Sequence, residues 1–248
     1  MAAEKASTEQ VKAYYDDPHV VEHYRRATAN VGLWASEEIV FAKVFQQDDR
    51  ILELGTGTGR IAIGLAELGY KHILATELSR EMIKEARRIG KVLEMSVSFR
   101  QADATRLSFE DGLFDGAIFG FNGLMQIPGR DARRKAMSEI HRVIRPGGAF
   151  VFTTHDRQNP KYRNYWRDEK IRWNKGKQKT ELLEFGDRFE KTELGELFIH
   201  VPTPEEVRED LQSTGWKAEW DSMRSKISME TPATMHFSDD CRFWVARK

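Results

Sequence analysis

Residues 51 to 60 read ILELGTGTGR, and the fold follows from how that stretch is understood. Ile51, Leu52 and Leu54 form the short apolar run of a buried strand, and glycines at 55, 57 and 59 then make a turn where a ligand can meet bare backbone. Beyond the turn, Ile61, Ile63, Leu65, Ala66 and Leu68 start a helix whose free N–H groups face whatever sits there. Such a corner serves phosphates, dinucleotides and nucleosides alike. A dinucleotide fingerprint carries Gly or Ala three residues after Gly57, where Arg60 stands, so the spacing is GxGxG. Glu53, inside the strand, would repel a pyrophosphate but suits a cationic ligand, by bonding an amino group or by bracing the loop that does. The plainer alternative for Glu53 is an exposed acid at a sheet edge.

Working outward, the segments ATELSREMIKEAR (75–87), FRQADATRL (99–107), FDGAIFGFNGLMQIP (114–128) and IHRVIRPGGAFVFTTHD (140–156) follow in order. With ELGTGTGR they resemble the motif series of class I S-adenosylmethionine-dependent methyltransferases, over about residues 10 to 248. The one departure in the first motif is Glu53 in place of the commoner aspartate, which keeps the charge. The resemblance implies an α/β fold with a seven-stranded, mainly parallel sheet, an antiparallel C-terminal hairpin, helices on both faces, an N-terminal helical cover and an inserted lid. The expected division is cover 1–48, cofactor-binding core 49–156, lid 157–201, and 202–248 completing the core. The expected cofactor is S-adenosylmethionine, with S-adenosylhomocysteine as product.

The residues that would hold it follow the strands. Gly55, Thr56, Gly57 and Gly59 belong to the turn. Glu77 ends the second strand (72–78) and can accept both ribose hydroxyls of a nucleoside, with Leu78 beside it; as a surface acid it would merely favour the next helix N-terminus. The resemblance places Asp103 and Ala104, at the end of a third strand (97–103), beside adenine, and Phe119, Gly120 and Phe121 of a fourth (113–122) along the cofactor. A plain Asx turn is the other reading of Asp103.

Asn122 would then stand where methyl meets acceptor, its amide orienting a hydroxyl or amine, or it simply ties the loop. A helix from Arg130 to Ile144 is expected to stop at RPGG and turn into a fifth strand, which His155 and Asp156 close. His155 is the candidate base, and a strand-capping histidine is the alternative.

Residues 8 to 46 read as two or three helices broken near Asp17-Pro18 and Asn30-Val31-Gly32. Of their aromatic residues, Tyr24 and Trp34 are the candidates to close over a sulfonium, where a ring gains cation–π stabilisation, although packing onto the core explains any one ring as well. Arg25 or Arg26 could meet the methionine carboxylate.

From Arg157 to Lys179 nine Lys or Arg stand against Asp168 and Glu169, interleaved with Tyr162, Tyr165, Trp166 and Trp173. This basic, aromatic insertion is where acceptor selection is expected, unless it is a solvated helix with anchoring rings. A strand pair turned near Gly186 follows, then a helix capped at Thr203 and two strands, Trp216 to about Ser228 and Arg242 to Ala246.

Composition adds limits. Lys+Arg and Asp+Glu both number 39, so no global charge points to nucleic acid or an anionic membrane. The single cysteine, Cys241, excludes an internal disulfide and a thiolate metal cluster. The start MAAEKASTEQ lacks an apolar signal core and no long apolar run occurs, so a soluble, cytoplasmic protein is expected. A small-molecule acceptor is the first expectation. An RNA or DNA base comes second on account of the basic lid; NPKY (159–162) superficially resembles the NPPY signature of base-methylating enzymes but does not follow the fourth strand. A non-catalytic cofactor-binding protein comes third.

Overall fold

The computed structural model describes residues 5–248; the first four residues of the polar N-terminal stretch lie outside them. Seven strands form one sheet, in the spatial order β3 (Ser98–Gln101), β2 (His72–Glu77), β1 (Arg50–Leu54), β4 (Phe114–Phe119), β5 (Ile144–Thr154), β9 (Arg242–Arg247) and β8 (Lys217–Met223). The first five are mutually parallel, whereas β9 runs antiparallel to both β5 and β8. This is the expected seven-stranded, mainly parallel sheet.

Period-two alternation explains why both faces are covered. Leu52, Leu54, Ala117, Phe119, Phe150, Phe152 and Trp244 point into one core cluster. There they meet Met137 and Ile140 of α6 (Arg130–Val143) and Val207 and Leu211 of α8 (Pro204–Ser213). Ile51, Ile118, Ala149, Val151, Phe243 and Val245 point to the other side. That face packs on Phe41 of α3 (Ala35–Val44), Ile63 of α4 (Arg60–Glu67) and Ile83 of α5 (Arg80–Val92).

Before α3 come α1 (Thr8–Asp16) and α2 (Pro18–Asn30), separated at Asp17, whose side chain caps α2 ahead of Pro18. After β5 the chain forms α7 (Arg163–Asn174) and a separate two-stranded sheet, β6 (Asp187–Thr192) with β7 (Gly195–His200).

Three expected boundaries move. The fifth strand begins at Ile144, ahead of RPGG, because Ile144 pairs with Phe114 before a register shift. The small hairpin turns at Glu193-Leu194 and not near Gly186, which precedes β6 with the Arg157 guanidinium against it. The strand after Trp216 ends at Met223, and residues 224–241 fold into α9 (Arg224–Ile227) and α10 (Pro232–Phe237) before β9 begins.

Candidate active site

The sheet order reverses between β1 and β4, and at the carboxyl ends of β1, β2 and β4 lies a cavity that is open to solvent. In open α/β sheets ligands gather at this switch point. Its floor is the strand–turn–helix corner. Gly55 (φ 63°) and Gly57 (φ 56°) occupy the left-handed region, and a Cβ on Gly55 would lie 2.7 Å from the Phe119 ring. Gly57 lies under Tyr24, whose ring is 4.0 Å from where its Cβ would be.

Glu77, at the tip of β2, organises the turn. Its Oε1 accepts from the backbone N–H groups of Leu78 (2.7 Å) and Ser79 (2.9 Å), and Oε2 accepts from Gly57 (3.1 Å). Burial pushes its carboxyl up, against these three donors. A carboxylate has about four acceptor positions, so Oε2 keeps one for a ligand.

Glu53 is 1% exposed and lines the cavity, which removes the sheet-edge alternative. Its Oε2 accepts from the Thr56 hydroxyl at 2.9 Å, and burial pushes its carboxyl up to about 8. The opposing pulls are the Thr56 bond and the Arg60 charge.

Asp103 forms an Asx turn, Oδ1 accepting from the Thr105 N–H and hydroxyl, both at 2.8 Å. Its other oxygen has no hydrogen-bond partner among the described residues. Thr56, Leu78, Ala104, Phe119, Gly120 and Phe121 also line the cavity.

The wall facing the corner comes from the N-terminal helices: Thr8, Val11, Lys12 and Tyr15 of α1, with Tyr24, Ala27 and Thr28 of α2. The Tyr15 hydroxyl donates to Gln126 at 2.6 Å, and burial raises both Tyr15 and Tyr24, so they stay neutral. Thr28 and Thr58 share a hydroxyl hydrogen bond of 2.7 Å, tying the cover to the turn.

Several expected residues stand elsewhere. Trp34 is fully buried between the Arg60 and Arg224 guanidiniums, 4.7 and 4.8 Å from its ring, so it belongs to the core and reaches the cavity only through Phe121 at 5.7 Å. Gly59 caps α4 and faces the Phe99 ring. Arg25 and Arg26 both pair with Glu22, and neither lines the cavity.

Asn122 and His155 lie behind the lining. Asn122 is 3% exposed, and its amide Nδ2 is 3.3 Å from His155 Nε2, leaving Oδ1 buried without a partner among the described residues. His155 Nδ1 is 3.4 Å from the Asp240 carbonyl, and burial lowers its pKa. A neutral ring that donates through Nδ1 and accepts the Asn122 amide at Nε2 fits these contacts.

Within 157–201 the two tryptophans, Trp166 (buried) and Trp173, pack on Phe185 at 6.0 Å, whereas Tyr165 is exposed. Glu184, His200 and Glu206 bring ligand atoms within 4.8 Å of one another. However, both His200 nitrogens engage carboxylates, Asp187 at 2.7 Å and Glu206 at 2.6 Å, while Arg133 pairs with Glu184 and Arg157 with Glu206. The cluster is an ion network that pins β6–β7 to α6 and α8. No described helix is long and apolar enough to cross a membrane.

Sequence reading missed the α1 lining and Phe237. Thr8, Val11, Lys12 and Tyr15 recur at helical spacing, which was available as a signal of one shared face. Phe237, in TMHFSDDC, carries no signal at all.

Residues 51–148 match the methyltransferase domain family. A demethylmenaquinone methyltransferase of Thermus thermophilus is 36% identical over 105 residues, 41% of this chain and 45% of that protein. One of Bacteroides fragilis is 31% identical over 159 residues, 60% of this chain and 63% of that protein. The chain thus spans less than two thirds of the length of these curated relatives. A solved SAM-dependent methyltransferase from Methanosarcina mazei has the same fold, with a TM-score of 0.68 at 21% identity over 84% of this chain and 96% of that one. Residues 51–148 are thus similar to the methyltransferase domain, and the sheet has the fold of solved S-adenosylmethionine-dependent methyltransferases.

Proposed function

We propose that the protein binds S-adenosylmethionine in this cavity and transfers the sulfonium methyl to an oxygen, nitrogen or carbon of a small-molecule acceptor. The observation that carries the reading is the convergence of Glu53, the 55–57 turn, Glu77 and Asp103 on one cavity at the sheet's switch point. The donor set fits the group: Glu77 Oε2 for ribose, the unpartnered Asp103 oxygen with the Ala104 N–H for adenine, and Glu53 toward the amino group. Gly55, Thr56, Gly57, Leu78, Phe119, Gly120 and Phe121 shape the walls, and Tyr24 covers the turn.

When bound, the sulfonium supplies a methyl group already activated for displacement. The chain's own task is to align an acceptor lone pair behind that methyl and exclude water. Tyr15, Tyr24 and the two helices that carry them do the excluding, while residues 157–201, none of which lines the cavity, brace α1 from outside through Thr192 against Tyr14. Asn122 and His155 hold the loop after β4 as a pair, and His155 becomes a base only when its Nε2 leaves the Asn122 amide. A small molecule is favoured over a nucleic-acid base because the two tryptophans of residues 157–201 pack on Phe185 instead of offering stacking platforms.

Calorimetric titration with S-adenosylmethionine and S-adenosylhomocysteine, with NAD as control, tests this. Micromolar binding of both sulfur ligands and none of NAD is expected. Binding of neither would withdraw the activity and leave only the fold.

A further inference from the structure

Phe237 belongs to no motif. It ends α10, inside the 224–241 segment that interrupts the β8–β9 connection, yet it lines the cavity beside Phe121 and Tyr24. Its ring stacks on Phe121 with centroids 4.9 Å apart at 12°, and on His23 at 5.7 Å and 23°. Tyr24 meets Phe121 and Phe237 nearly edge-on, at 6.2 Å from each. This aromatic corner adjoins the Gly57 end of the turn, since the same Tyr24 ring covers Gly57.

Phe121 is held there in a costly conformation. It and Asn122 are consecutive non-glycine residues at φ 48° and 59°, a backbone that a bulky side chain keeps only when its surroundings fix it. Trp34, Tyr24 and Phe237 supply that fixing. With its faces stacked on Phe121 and His23, Phe237 turns its edge to the cavity. Ring edges carry the positive side of the aromatic quadrupole, whereas cation–π attraction needs the face. This corner therefore gives a sulfonium little, but it complements the face of an electron-rich ring in a T-shaped contact.

We infer, resting on the methyltransferase reading above, that Phe237 selects the acceptor and that the acceptor is a flat, electron-rich ring received edge-to-face against the Phe121–Phe237 stack. The contact adds selectivity for a flat ring over a saturated one of equal bulk, which burial alone does not provide.

The test is calorimetry on the full chain saturated with S-adenosylhomocysteine, using 2-naphthol and its saturated counterpart trans-2-decalol as probes. Naphthol should bind at least tenfold more tightly than decalol. Phe237→Leu should remove at least tenfold of the naphthol affinity while changing the S-adenosylhomocysteine dissociation constant less than twofold, and Phe237→Tyr should keep naphthol binding. Equal binding of the two probes, no naphthol binding, or a Phe237→Leu effect on S-adenosylhomocysteine instead of naphthol would each overturn the inference. If Phe237→Leu does not fold, the naphthol–decalol contrast in the wild type decides alone. Failure of S-adenosylhomocysteine to bind the wild type would instead sink the methyltransferase reading; its binding without naphthol sinks only the acceptor class.

Discussion

Arg60, in the first turn of α4, donates two hydrogen bonds to the Glu37 carboxylate of α3, at 2.6 and 2.7 Å, with both side chains almost wholly withdrawn from solvent. A third donation, to the Gly32 carbonyl at 2.8 Å, and the Trp34 ring under the guanidinium complete the joint between the N-terminal helices and the glycine turn. Removing one partner of a buried pair strands the other charge. Glu37→Ala should therefore lose about 3–5 kcal/mol of unfolding free energy in a denaturant titration. Asp48→Ala, which breaks the exposed Lys71 pair, should leave the midpoint where it is.

Glu53 connects the cavity to pH. Its carboxyl is pushed up to about 8 by burial, from an ordinary 4.5, so it is mostly protonated at pH 7 in the free protein. Its folded value lies above its unfolded one, so its contribution to stability is complete below about 4.5 and is lost as pH rises through about 8. A ligand ammonium placed beside it favours the carboxylate and expels the proton. Binding of S-adenosylmethionine at pH 7 should thus release close to one proton, seen as a difference in calorimetric enthalpy between phosphate and Tris buffers. Glu53→Gln should abolish that difference and flatten the decline in stability between pH 5 and 8. A buffer-independent wild-type enthalpy would remove Glu53 from the ligand's charged end.

Glu77→Ala takes away both the ligand-facing Oε2 and the acceptor of three backbone N–H groups. Loss of charge-assisted bonds to ribose is expected to weaken S-adenosylmethionine binding by about 2–3 kcal/mol, roughly 30- to 150-fold. A dissociation constant within threefold of the wild type would leave Glu77 as a loop brace alone.

How much of this was readable beforehand depended on whether a signal is local. The sheet was legible because apolar runs such as ILEL and FVFTT and the glycine turn are consecutive in sequence, and Asp17-Pro18 marked the helix break for the same reason. In the sequence Arg60 is no more than the residue that spoils a dinucleotide fingerprint. Its partner lies 23 positions earlier, and nothing in EEIV marks Glu37 as buried. Trp34 illustrates the opposite error, since an aromatic residue at the right address in a cover helix is indistinguishable in sequence from one that packs beneath it. Phe237 was invisible because it reaches the cavity from a segment between two edge strands, a placement that only tertiary packing creates. The β6–β7 turn was misplaced because Gly186 and Gly195 both offer φ above 100°, and cross-strand pairing chose between them.

His200 supplies the sharpest pH prediction. It is fully buried in β7, donating through Nδ1 to Asp187 of β6 and through Nε2 to Glu206 of α8, while Arg133 of α6 and Arg157 after β5 face Glu206. Burial opposes its charge, but the two carboxylates outweigh burial and raise its pKa above 6.5. The Glu206 carboxyl is correspondingly lowered, the His200 bond overcoming its own burial. A folded pKa above the unfolded one means that the imidazolium's contribution is complete below about pH 6.5 and is lost as pH rises through the raised value. The melting temperature of the wild type should therefore decline on the alkaline side of 6.5, and that of His200→Gln should decline less. At pH 6, His200→Ala takes the cation from buried Asp187 and leaves Glu206 to Arg157 and Arg133, and should cost about 3–5 kcal/mol. Amide exchange in β6 and β7, corrected for its intrinsic pH dependence, should accelerate along with the wild-type decline, because these strands are what the cluster holds against α6 and α8. A gap between wild type and His200→Gln that stays constant from pH 6 to 9 would show that His200 is neutral and that the hairpin is held by the arginine pairs alone.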